Sequence, residues 1–227
     1  MLLTKHSIEF SLKHACGSTS TLFCLRLGSI IPIVFFVTTI VCGFVLGDYN
    51  HLTRMVSELG ALGTRSQFVF STGLLVCSAS SILFVVGLYR VCRVLGINTM
   101  PVIILLCYSI SIAGAAVFPL PLRLHLIMGM PSILLILSPL LSLFLWSTSR
   151  HLLHIKGMSI FSFFVMSLGF VAFMPEIFEG YLGLKQRIFH VGWSMWFLYL
   201  SYAFTRLFRQ SSDAAAEVAS PRAQRDS

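Results

Sequence analysis

Ionised side chains are rare in this chain, and where they occur they cluster. Outside the terminal tails there are four carboxylates, Asp48, Glu58, Glu176 and Glu179. Three imidazoles, His51, His125 and His190, and two guanidinium groups, Arg123 and Arg187, fall in or beside the same connecting segments. Carboxylates beside imidazoles can move protons as general base and acid. Guanidinium forks suit a phosphate or a carboxylate. Such a set close to lipid is costly unless it is paired, hydrated or used.

Two stretches carry most of it. In DYNHLTRMVSELGALGTR, Leu52, Met55, Val56 and Leu59 recur at helical spacing and form an apolar face, with His51, Arg54 and Glu58 opposite. Arg54 and Glu58 stand at the i, i+4 spacing of an ion pair. Gly60 is placed to end the helix in a left-handed conformation. The spacing predicts a short amphipathic helix lying against the bundle, with Ser57-Glu58 near its end. In FMPEIFEGYLGLKQRIFHVGWSMWF, a helix starting near Leu184 puts Gln186, His190 and Trp193 on one face and Arg187 one position round. VFPLPLRLHLIMGMP adds Arg123 and His125 after a Phe118-Pro119 turn. Closure of a bundle would bring Ser57, Glu58, Arg123, His125, Glu176, Glu179, Gln186, Arg187, His190 and Trp193 to one level as a ligand-binding set.

Each feature also has a plainer reading. An amphipathic loop helix with a charged face serves equally well as a solvated lid. Zinc needs imidazole, thiolate or carboxylate ligands at metal spacing. Neither His-Glu-x-x-His nor His-x-x-x-His occurs in these segments, so no metal and no cofactor is expected. Ser57 with a histidine and a glutamate would make a hydrolytic triad. It lacks a nucleophile-elbow context, however, and Ser57 and Glu58 point in different directions on a helix, so a backbone-bonding hydroxyl is the simpler role. Arg123 and Arg187 can pair with Glu58, Glu176 or Glu179 instead of a ligand.

The elements that must hold this set are apolar. At 56% hydrophobic, 11% charged and mean hydropathy +0.88, the 227-residue chain is excluded from ordinary soluble domains. Six windows lack Asp, Glu, Lys and Arg: 27–47, 66–89, 94–122, 124–149, 157–175 and 188–205. About 20 apolar residues as a helix cross a hydrocarbon core, and lipid cannot satisfy exposed backbone groups, so helices are required. The expected fold is an all-α bundle of six transmembrane helices over 27–207. A cytoplasmic segment (1–26) precedes it and a disordered cytoplasmic tail (208–227) follows. The first apolar run lacks a small-x-small cleavage site and reads as a retained anchor.

Of 16 Lys and Arg, 11 fall on the side that holds both termini, which the positive-inside rule assigns to the cytoplasm. That rim also accounts for the net charge of +8 through anionic lipid, so nucleic acid is not an expected partner. His151 and His154 on that side suit headgroup contacts. None of the six cysteines falls in an outer loop, and no Cys-x-x-Cys occurs. Cys24 and Cys92 lie beside the membrane, where palmitoylation or plain packing are the options.

Gly43-Phe-Val-Leu-Gly47 and the small-residue runs 77–81 and 109–115 read as packing faces. Pro32, Pro131 and Pro139 should bend or open their helices. No ionised residue lies at a helix centre and no internal repeat is visible, which argues against an ion-coupled transporter.

Ser57-Glu58-Leu59-Gly60-Ala61, Phe118-Pro119, His125 and Gly183-Leu184-x-Gln186-Arg187 fall between particular helices in an order that resembles the domain-of-unknown-function 998 membrane family. The resemblance covers about 27–207. It implies a six-helix integral membrane protein, chiefly bacterial or archaeal, with no established reaction. The leading expectation is a cell-membrane protein whose outward polar pocket binds a lipid headgroup or other amphiphile. Its partners would be membrane lipids. The alternatives are an intramembrane enzyme acting on lipid at the outer leaflet, and a scaffold whose polar groups only pair with one another.

Overall fold

A computed structural model describes residues 18–147, 152–174 and 176–223. His151, Cys16 and most of the 1–26 segment lie outside the described residues. Among those described the chain is all-helical. Its helices are α1 (Ser18–Leu46), α2 (Gln67–Leu95), α3 (Met100–Val117), α4 (Arg123–Leu145), α5 (Ile155–Leu168) and α6 (Leu182–Ala223). Two 3-10 turns, Val56–Gly60 and Gly169–Phe173, precede α2 and follow α5.

Four helices are long and apolar enough to cross a membrane: Thr19–Leu46, Gln67–Leu95, Met100–Val117 and Arg123–Leu145. The apolar stretch of α5, Ile155–Val171, is shorter. In α6 the stretch 188–205 is diluted by His190, Ser194, Tyr199, Ser201 and Tyr202. Where composition suggested a disordered tail, the backbone of α6 is helical to Ala223.

The helices close into a ring in chain order. Each of α1 to α5 packs on the next, and α6 packs on both α5 and α1. Large apolar side chains face outward, among them Phe44, Phe68, Leu126 and Phe144. The inside is filled by Phe35, Phe84, Tyr108, Trp193, Trp196, Phe197 and Phe204, each under 2% exposed. Without a hydrophobic drive between helices in lipid, close approach and polar stitches must hold such a ring. Small residues provide the approach. A Cβ at Gly73 would strike Thr38, one at Gly28 the Phe84 ring, and one at Gly87 the α1 chain at Cys24–Leu25. Hydroxyls provide the stitches. Ser29 donates to Ser201 (2.9 Å), Ser201 to the Leu25 carbonyl (2.8 Å), Ser78 to the Ser109 carbonyl (2.9 Å) and Ser109 to Ser81 (2.9 Å). The Trp196 indole donates to Ser138 (2.9 Å), which donates to the Pro101 carbonyl (2.8 Å).

The small runs of α2 and α3 thus lie in helix contacts, but Gly43 and Gly47 do not make a helix-packing pair. Gly43 receives the His51 ring, and Gly47 ends α1 with φ +77°. Pro131 and Pro139 accompany a divided α4, built from Arg123–Gly129, Pro131–Leu134 and Leu137–Leu145, because proline cannot donate to the preceding turn. Pro32 leaves α1 unbroken.

Candidate functional site

The first loop, between α1 and α2, is docked onto the start of α6. Gly183 makes this possible: an added Cβ would collide with the Arg54 carbonyl oxygen and lie 2.7 Å from that of His51. The Leu184 amide donates to the Leu52 carbonyl (2.8 Å) and the Val56 amide to the Gln186 side-chain oxygen (2.7 Å). Arg187 donates to the carbonyls of Arg54 (3.2 Å) and Gly183 (3.0 Å), to Tyr49 Oη (3.0 Å) and to His51 Nδ1 (2.9 Å). The Tyr49 hydroxyl lies 3.0 and 2.8 Å from the carbonyls of Arg54 and Met55. Leu62 is tied to the loop between α3 and α4, its amide donating to the Leu120 carbonyl (2.8 Å).

These bonds explain why the expected amphipathic helix is reduced to a single 3-10 turn, Val56–Gly60. The carbonyls of Leu52, Arg54 and Met55 and the amides of Met55 and Val56 have partners elsewhere, so they are taken from the ladder a longer helix would need. Val56 and Leu59 are buried, while Leu52 of the expected apolar face is exposed. Gly60 sits against the Phe70 ring within the turn, and the left-handed glycine is Gly63 (φ +80°).

Glu58 is occupied with this same loop. One carboxylate oxygen accepts from the Met55 amide (2.8 Å) and the other from Arg54 Nε (2.8 Å). Arg54 also reaches Asp48 at 3.8 Å. The hydrogen bond to Glu58 raises the Arg54 pKa above its ordinary value. Burial raises that of the Tyr49 phenol, against the Arg187 charge beside it. Burial, and then Arg187, lower that of His51 below 6.5.

Beneath the docked loop, inside the ring, is a cavity of about 280 Å³. Met55, Val56 and Ser57 contribute from the loop, and Phe35, Phe70, Leu74, Ile112, Ile133, Met166 and Phe189 make apolar walls. Tyr108, His125, Gln186, His190 and Trp193 also line it, and among the described residues no Asp, Glu, Lys or Arg does. Trp193 is fully buried, 4.5 Å from Tyr108 and 5.3 Å from Phe35 between ring centroids.

Of the residues read as a set in the sequence, Ser57, His125, Gln186, His190 and Trp193 meet at this cavity. Glu58 and Arg187 do not line it, being engaged in holding the loop. Arg123, Glu176 and Glu179 are exposed and make no ion pair among the described residues. The pairing of Arg187 with a glutamate is replaced by backbone carbonyls, Tyr49 and His51. The second cation of this helix start, Lys185, is 3% exposed and donates to the Met174 carbonyl (2.8 Å). Among the described residues no group of three metal-capable side chains converges, and no hydrogen bond joins Ser57 to a histidine.

Sequence reasoning missed Tyr49, Phe35 and Tyr108. Tyr49 had a signal, an aromatic ring directly before the Asn-His pair of a polar loop. Tyr108 lay in an apolar run with nothing to distinguish it.

No curated protein and no solved structure matches the chain. A family model described as "Protein of unknown function (DUF998)" matches residues 29–203, spanning α1 to α6 and every cavity-lining residue. The chain therefore belongs to the DUF998 family.

Proposed function

We propose that this is a six-span cell-membrane protein, both termini cytoplasmic, that binds the apolar part of an amphiphile in the cavity beneath the first loop. The observation that carries this reading is the lining itself: some 280 Å³, walled by aromatic and aliphatic side chains, with a few polar groups and no formal charge beyond what histidine can take up. Ligand sites are concave and mostly apolar with few polar groups. A charged headgroup would find no counterion inside, so it stays at the loop end, and membrane lipids are the natural source of such a ligand. Glu58 and Arg187 act by positioning the loop.

Gly129 supplies the test. It lines the cavity, and a Cβ built there meets nothing within 4 Å, so a large side chain has room to enter. Full-length protein and its Gly129→Phe variant are purified in parallel and their retained lipids identified by mass spectrometry. The wild type is expected to hold a defined amphiphile at near-stoichiometric level, and Gly129→Phe to lose it with the fold intact. Equal lipid in both, or none specific to the wild type, overturns the reading.

A further inference from the structure

On the outer surface of the ring, where α6 packs against α1, runs a groove separate from the cavity. Ile33, Val37 and Ile40 of α1 form one wall, and Val191, Met195 and Leu198 of α6 the other. All six are more than a third exposed. Ser194 also lines the groove, but its hydroxyl is spent on the His190 carbonyl (2.7 Å). The groove offers hydrocarbon to whatever fills it.

One end of it leads to charge. Arg26 stands seven residues before Ile33 and fourteen before Ile40, and seven residues return a helix to nearly the same face. On α6, Tyr202 and Arg209 follow Met195 at the same interval, with Arg206 between them. Arg26, Tyr202, Arg206 and Arg209 are all exposed. The antiparallel register brings both rows to one end. Ser201 donates to the Leu25 carbonyl (2.8 Å) and accepts from Ser29 (2.9 Å), so Arg26 is level with the turn that carries Tyr202. Arg206 and Arg209 follow within the next two turns. Among the described residues none of the three arginines makes an ion pair. The nearest acid along α6, Asp213, stands four residues past Arg209 and can balance one guanidinium of the three.

We infer that the α1–α6 seam binds an anionic phospholipid, with its headgroup at Arg26, Arg206 and Arg209 and an acyl chain in the groove. Guanidinium forks match phosphate oxygens. This basic end is the one that the proposed topology puts in the cytoplasm, where anionic lipid gathers and basic pockets between helices hold its headgroups. The length fits as well. At about 1.5 Å per residue, Arg26 and Ile40 are roughly 21 Å apart along α1, half of a bilayer of about 40–45 Å with its headgroups. Tyr202, between charge and hydrocarbon, stands where aromatic rings settle at a membrane interface. A second copy of the chain fits the seam less well, because it would bring the same arginines to the same level.

The experiment titrates full-length protein in detergent with dioleoylphosphatidylglycerol or dioleoylphosphatidylcholine, which share their chains, and measures bound lipid by native mass spectrometry. Wild type is expected to bind the anionic lipid about tenfold more tightly. Arg26→Gln combined with Arg209→Gln should bring that preference within about twofold. Arg93→Gln combined with Lys156→Gln removes two exposed charges from the same end of other helices and should keep it. Val37→Trp fills the groove from an exposed position and should weaken both lipids about fivefold. All these positions are exposed, so the thermal midpoints should stay near that of the wild type. Equal affinities in the wild type, or a preference that survives the loss of Arg26 and Arg209, overturns the site. An equal loss in the Arg93 and Lys156 variant would mean diffuse surface charge and overturns it too, as does binding that Val37→Trp leaves unmoved. Gly129→Phe separates this site from the cavity: a preference lost there would place the anionic lipid under the first loop and overturn the seam assignment while leaving the cavity reading in place.

Discussion

Arg187 Nη2 lies 3.0 Å from the hydroxyl of Tyr49, and this contact joins the last helix to the first loop. The guanidinium also sits over the Tyr49 ring, 5.8 Å from its centroid, with Arg54 at 5.2 Å. Two cations share one phenol while Glu58 holds the nearer of them. The loop is thus fastened from both sides through a residue that carries no charge. Tyr49→Phe should loosen it as Arg187→Ala does, though less severely. Hydrogen exchange at Val56 should rise in both variants and most in Arg187→Ala.

Glu58 does two tasks, pairing with Arg54 and accepting from the Met55 amide. Exchanging the charges, Arg54→Glu with Glu58→Arg, restores the pair but leaves that amide without an acceptor. The doubly changed protein should therefore recover only part of the stability lost by Glu58→Ala, a loss of about 1–2 kcal/mol. Thermal unfolding of the two single variants and the double measures it. Full recovery would mean the bond to Met55 contributes nothing.

The bond from Arg187 to His51 requires an unprotonated Nδ1. Burial and the Arg187 charge hold the His51 pKa below 6.5, so the docked loop binds fewer protons than the unfolded chain. The stabilisation is complete above about pH 6.5 and declines as the pH falls through and below it. Val56 exchange, corrected for its intrinsic pH dependence, should accelerate on acidification in wild type, and His51→Gln should flatten that response.

Gly73 meets Thr38 where α2 crosses α1. Gly73→Ala should destabilise the protein by about 1–3 kcal/mol through overpacking. Thr38→Ala in the same chain should return much of that, because the obstacle is a side chain rather than backbone. Additive losses in thermal unfolding would show that the two sites are not coupled.

Reporter fusions test the proposed topology. A reporter that is active only in the cytoplasm should be active at either end of the chain and silent when inserted after Gly63. Activity at one terminus alone would require an odd number of spans.

Much of the helical framework was legible because charge-free windows and small-residue runs carry their own periodicity. The placement of Gln186, His190 and Trp193 beside one cavity was legible for the same reason, since i, i+4, i+7 spacing holds wherever the helix is intact. The roles of Glu58 and Arg187 were not. Charge near lipid suggests a ligand, but a docked loop presents free carbonyls and amides that take up charge just as well, and only tertiary structure reveals them. The reduction of the loop helix to Val56–Gly60 has this origin, its backbone groups having been claimed by Gln186, Arg187 and Leu184. Tyr108 stayed hidden because a tyrosine in an apolar helix gives no sign of which way its hydroxyl faces.

The ring closes through α6, which the ribosome delivers after the five helices before it. Until Ser201 reaches Ser29 and Gln186 reaches Val56, α1 has one bare flank and the first loop lacks the bonds that hold its outer half. Nascent chains halted before Leu182 should therefore engage membrane chaperones or quality-control proteases, and a mutation at the start of α6 should reduce cellular abundance more than its effect on the finished protein would suggest.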